Sequence, residues 1–170
     1  MSSSQQQQQQ PSEEELKNAH TLLFNAGLQT RYAVAGKEYV DKSLTNNASD
    51  FSRPMQEYVT ESCWHSIWGR PGLEKKTRSL LNIAMLCALN RSTELAVHVR
   101  GAVNNGASEV EIRETIMQVA CYCGMPAGLE GTRVAERVIL EMRREREEGE
   151  GGKGEKEQAQ VEGGQSLNPS

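Results

Sequence analysis

The sequence predicts an all-α fold, and three observations predict it. Ser12-x-x-Glu15 and Ser108-x-x-Glu111 are capping boxes, in which hydroxyl and carboxylate satisfy the orphan amides of a helix start. From Leu73 to Asn90, apolar or small residues recur at 73, 77, 80, 81, 84 and 88, the 3.6-residue period of a half-buried helix. No stretch shows the apolar–polar alternation between turn signals that a strand requires.

Taken in order, residues 1–12 read Met-Ser-Ser-Ser, six glutamines and Pro-Ser, a disordered Gln-rich segment with nothing to bury. A single helical domain is expected over 13–142, with about six to seven helices. Its first helix starts at Ser12, carries Leu16, Leu22 and Leu23 on one face and stops at Gly27. A short segment around Arg31–Ala35 ends near Gly36. Asp50 reads as the cap of a helix running to about Ile67, with Met55, Val59 and Cys63 spaced by four. The Leu73–Asn90 helix follows, then one over Thr93–Asn105 stopped by Gly106. The second capping box opens a helix whose buried stripe is Ile112, Ile116, Val119, Ala120 and Cys123. Gly124-Met-Pro126 breaks it and places Pro126 in the first turn of a last helix, ending near Met142. Residues 143–170 are Glu-, Gly- and Lys-rich and read as a disordered tail.

Charge narrows the function. The net charge is −4, but residues 16–140 hold 12 acids and 14 bases, so the acidity belongs to the ends. A nucleic-acid partner is excluded because no concentrated basic face exists. The apolar run Leu80–Leu89 is interrupted by Asn82 and is half the length needed to span a bilayer. The N-terminus lacks the basic-then-apolar layout of a signal peptide. These features point to a cytoplasmic protein without a membrane partner. With two Phe and two Trp the core is thin while the Leu80–Leu89 stripe is wide, which predicts a homo-oligomer.

An ordered set of motifs runs from Gly27 to Leu129. It comprises Gly27-x3-Arg31, Val40-Asp41-Lys42-Ser43-Leu44, Trp64 and Trp68-Gly-Arg70-Pro71-Gly72-Leu73. Lys76-Thr-Arg78-Ser-Leu-Leu-Asn82-Ile-Ala84, Glu94-Leu95-x2-His98-x-Arg100, Asn104-Asn105-Gly106 and Tyr122-x-Gly124-x-Pro126-Ala127 follow. In this set the chain resembles the carboxymuconolactone decarboxylase family. The resemblance implies an alkylhydroperoxidase D-like helical bundle assembled as trimers or hexamers. It also implies a cofactor-independent decarboxylase acting on a small carboxylated lactone or β-keto-like acid. Two departures imply a substrate other than carboxymuconolactone. Arg31-Tyr32-Ala33-Val34-Ala35-Gly36 replaces the family's Arg-Arg-Glu-Val-Leu-Gly, and His65 replaces a glycine.

His98 is the leading catalytic candidate. It lies one turn after Glu94, and the family's Glu-Leu-x-x-His element falls on Glu94, Leu95 and His98. A carboxylate at that spacing favours the imidazolium, which predicts a general acid near neutrality. Arg70, in a loop before a helix, is the candidate for gripping a carboxylate bidentately, and Trp68 for an apolar wall that weakens carboxylate solvation. Arg78, Arg31 and Tyr39 are further candidates for the same pocket, and Tyr122 is a candidate donor to a developing oxyanion. Cys63, Cys87, Cys121 and Cys123 read as small buried hydrophobes. In the peroxidase relatives a Cys-x-x-Cys stands seven and four residues before the histidine, positions that are Arg91 and Glu94 here. No Cys/His set has metal spacing. Two alternatives remain open at this point: an alkylhydroperoxidase-like oxidoreductase using Cys121 or Cys123, and a non-catalytic helical oligomer that binds a small acid.

Overall fold

The structure, a computed structural model, describes residues 10–163, and side chains over 10–148. The described part is helical, with seven α-helices, one π-helical segment and no strand among the described residues. It divides into two compact units, one up to Arg78 and one from Ser79. The Gln-rich stretch to residue 9 and the end of the tail from residue 164 lie outside the described residues.

In the N-terminal unit, α1 spans Glu13–Ala35. Both halves of its capping box are present: the Ser12 amide donates to the Glu15 carboxylate at 2.8 Å, and the Glu15 amide donates to Ser12 Oγ at 3.3 Å. The helix does not stop at Gly27. It continues to Gly36, whose φ of 87° ends it. Gly27 has a different job, because a Cβ there would sit 2.1 Å from the Thr60 carbonyl oxygen. Glycine is therefore required for close approach of two backbones, a use that looks identical to a helix stop in the sequence.

Helix α2 spans Lys37–Asn46, with no apolar stripe to announce it, and buries Val40 alone. Helix α3, Arg53–Val59, passes directly into a π-helical segment, Thr60–His65. Asp50 does not cap α3. Its carboxylate accepts from Arg53 at 2.5 Å, and the cap position falls to Ser52, whose side chain makes no capping bond. The wider π turn also resets the buried face. Met55 is left exposed, while Thr60 and Trp64 are buried and Cys63 is half-buried. Trp64 and Trp68 stack with ring centroids 5.2 Å apart and pack with Val34 as this unit's core.

Helix α4, Lys75–Ala88, begins in the first unit and continues into the second, where it is followed by α5 (Ser92–Asn104), α6 (Glu109–Cys123) and α7 (Met125–Gly163). The second capping box is complete, and Gly124, at φ 110°, adopts the backbone only glycine takes easily before Pro126 enters the next helix. The face α4 buries is Ser79, Ile83 and Cys87, against Leu95, Val99 and Ile112. Its apolar excess is on the other side, with Leu81, Met85 and Leu89 all exposed. On α6, Ile112, Ile116 and Val119 are buried as the stripe predicts, but Cys123 is exposed.

Helix α7 runs past Met142 to Gly163. Two ion pairs fasten the stretch just beyond Met142: Arg100 of α5 grips Glu145 through both nitrogens at 2.6 and 3.0 Å, and Arg143 grips Glu109 of α6 at 2.7 and 2.5 Å. Partners so distant in sequence are invisible to a local reading of composition.

Candidate active site

Each catalytic candidate inherits its setting from its helix. On α5, Leu95 and Val99 are buried, and their neighbour His98 is half-buried. Asn82 of α4 lies 3.4 Å away, its side-chain nitrogen against His98 Nδ1. An amide nitrogen only donates, so the contact forms as a hydrogen bond when Nδ1 carries the lone pair. Burial pulls the His98 pKa below its ordinary value, and the negative charge of Glu94 opposes that only in part. The carboxylate one turn away therefore does not act alone: desolvation, which favours the neutral ring, is the larger influence on His98, and Glu94 opposes it. Asn82 is the site residue that the sequence reading misses. Its signal was the polar interruption of the Leu80–Leu89 run.

The arginines occupy contrasting positions. Arg70 is exposed, in the loop ahead of α4. Arg78 is not open for a ligand in the way predicted: its Nε donates to the Leu73 carbonyl and its Nη2 to the Arg70 carbonyl, each at 3.1 Å. It braces the loop that presents Arg70. Trp68 is 4% exposed and stacked on Trp64, so it is a core residue of the unit rather than a wall beside Arg70. Arg31 is buried among Thr60, Ser43 and Gln56. Tyr39 is partly exposed, and its charged form would favour the Arg31 cation.

Tyr122 is 77% exposed near the end of α6. Cys121 and Cys123 flank it and are exposed too, which corrects their reading as buried hydrophobes. Cys87 is buried, and desolvation pushes its thiol up to about 11. All four cysteines are free, and no group of three or more His, Cys, Asp or Glu among the described residues is arranged to hold a metal. Thus His98, Glu94 and Tyr122 belong to the C-terminal unit, and Arg31, Trp68, Arg70 and Arg78 to the N-terminal one. Two open clefts contain none of these residues. One, of about 450 Å³, is lined by Lys17, His20 and Glu61, and the other, of about 370 Å³, by Ser92, Glu130 and Arg137. The half-buried His98–Asn82 pair carries more chemistry than either, since it holds a proton-transfer group against a polar side chain.

Comparison with known proteins places this arrangement. Residues 53–137 match the carboxymuconolactone decarboxylase family, a span that takes in Trp68, Arg70, Arg78, Glu94, His98 and Tyr122. The chain belongs to this family. It is 44% identical over 123 residues to the nitrosuccinic acid decarboxylase of Metarhizium robertsii, covering 72% of this chain and 85% of that protein. It is 38% identical over 119 residues to the 4-carboxymuconolactone decarboxylase of Acinetobacter baylyi, covering 70% and 88%. An uncharacterized 15.0 kDa protein of Paracoccus denitrificans is 36% identical over 85 residues, covering 49% and 63%.

Proposed function

We propose that this carboxy-lyase of the carboxymuconolactone decarboxylase type removes carbon dioxide, without a cofactor, from a small acid whose carboxylate sits beside an electron-withdrawing group. The names of the two decarboxylase relatives support this class, since one joins a carboxylate to a nitro group and the other to a lactone. A carboxylated lactone, a β-keto-like acid or a nitro acid all leave a carbanion that the neighbouring group can delocalise.

The observation that carries the mechanism is the half-buried His98 beside Asn82, in a setting where burial favours the neutral ring. An anionic substrate arriving beside it favours the charged form, so the ring takes up a proton as the anion binds. The carbon–carbon bond then breaks, carbon dioxide departs and the electron pair remains on carbon. His98 delivers its proton to that carbon, a carbon–hydrogen bond forms and the imidazole returns to neutral. Glu94 supports the transient imidazolium. Arg70, exposed and without an acidic partner among the described residues, is proposed as a carboxylate-binding group of the N-terminal unit.

We also assign a homo-oligomeric state, a trimer or hexamer, supported by the exposed stripe of Leu81, Met85 and Leu89 on α4. No helix among the described residues is long and apolar enough to cross a membrane. Carbon dioxide release from nitrosuccinate and 4-carboxymuconolactone by the full chain tests the reading. His98→Ala lowers kcat by about 10²–10⁴. Full turnover by that variant overturns the assignment of His98.

A further inference from the structure

We propose that Arg31 is an anion-binding centre of the N-terminal unit and takes a carboxylate of a small acid. Arg31 is 6% exposed, yet every acceptor it has is neutral: Thr60 Oγ1 at 3.2 Å, Ser43 Oγ at 3.3 Å and Gln56 Oε1 at 3.0 Å. These bonds use three of the five N–H groups of the guanidinium, and no buried side-chain nitrogen or oxygen among the described residues is left wholly without a partner, so the remaining donor capacity faces the accessible side. Buried charges are ordinarily paired, because taking an isolated one from water costs several kcal/mol. Of the acids on the elements packed around Arg31, Glu38 of α2 and Glu57 of α3 are exposed and make no hydrogen bond to it, and the other two are engaged elsewhere. Asp41 of α2 takes Lys37 and the Tyr32 hydroxyl, and Glu61 of the π-helix takes His20 at 2.7 Å. The groups whose charged forms would favour the Arg31 cation are Tyr39, Cys63 and Tyr32; burial pushes the Cys63 thiol up, and the bond to Asp41 raises the Tyr32 phenol, so neither supplies a ready anion.

The shell is built to hold the fork still. The Thr60 hydroxyl donates to the Gln56 carbonyl at 2.7 Å, which leaves its lone pairs to accept from Arg31. Gly27, one turn before Arg31, lets α1 touch the Thr60 backbone. Thr60 is fully buried, whereas Ser43 and Gln56 are half-buried, so theirs is the accessible side of the Arg31 fork and the one the proposal gives to the anion. There it exchanges neutral bonds for charge-assisted ones, roughly twice as strong. The Ser43 hydroxyl and the Gln56 amide nitrogen can then donate to the same anion.

The test is binding, which is read without turnover and so is separate from the decarboxylation proposal. The full chain is titrated with succinate at constant ionic strength, following thermal unfolding and the Arg Nε–H resonances by NMR. A saturable Tm rise of about 3–6 °C is expected at ten times Kd, with a shift of the Arg31 resonance. Arg31→Met abolishes both effects, and Arg31→Lys keeps part of the Tm rise. An equal rise with sodium chloride at matched ionic strength overturns the proposal. So does a response that survives in Arg31→Met, or one lost only in Arg70→Gln. If Arg31→Met does not fold, the wild-type resonance decides: an Arg31 signal unmoved by saturating succinate overturns the proposal.

Discussion

Replacing Gly27 by alanine puts a methyl carbon where the π-helix backbone already is. That carbon would lie 2.1 Å from the Thr60 carbonyl oxygen, 2.9 Å from its carbon and 3.2 Å from the His65 nitrogen. Non-bonded heavy atoms settle near about 3.5 Å, so the backbones must part by more than about 1 Å. Two effects compete. Alanine in a helix interior is favoured over glycine by about 0.8–1.0 kcal/mol. Overpacking costs about 1–3 kcal/mol, toward the upper end here because the obstacle is backbone and cannot change rotamer. The clash wins, and the net loss is about 1–2 kcal/mol. It also draws Thr60 away from Arg31, whose bond to it is already 3.2 Å. Urea denaturation followed by circular dichroism should show a lower midpoint at unchanged slope. Gly72→Ala, where an added carbon meets nothing within 4 Å, should stay within about 0.5 kcal/mol of wild type. A Gly27→Ala variant as stable as wild type would refute the close-approach argument.

Two further predictions concern His98. Its folded pKa lies below the ordinary value of 6.5, so the unfolded chain takes up the proton first as pH falls. Stability is therefore fully present above about pH 6.5 and declines below it, by at most about 1.4 kcal/mol per pH unit. His98→Gln removes that part of the dependence, and identical denaturation midpoints for both proteins at pH 7.5 and at pH 5.5 would contradict it. Asn82→Asp replaces a donor facing Nδ1 by a carboxylate that favours the imidazolium. The limb of kcat/KM governed by His98 should move to higher pH, and an unmoved profile would show that Asn82 does not set the protonation state.

Some of this protein is written locally. Both capping boxes and the Gly124-Met-Pro126 break depend on residues within four positions of one another, and the structure keeps them, while α5 is shifted by one residue at each end. The same holds for the Glu94–His98 spacing, which is set by one helical turn. Other features arise only when distant segments meet. Gly27 carries no mark distinguishing a helix stop from a contact point; Thr60, on another element, makes the difference. The π turn after Val59 changes which side of the chain is buried, and periodicity counted at 3.6 residues per turn cannot register it. Helix α7 continues past Met142 where Arg143 and Glu145 find partners 34 and 45 residues away. The larger influence on His98 is burial, which no spacing reveals, and the carboxylate one turn away opposes it. Arg31 looked like one basic residue among several, and only packing showed a cation enclosed by hydroxyls and an amide. Hydrogen bonds between near neighbours are specified by local sequence, whereas desolvation and long-range pairing belong to the assembled fold.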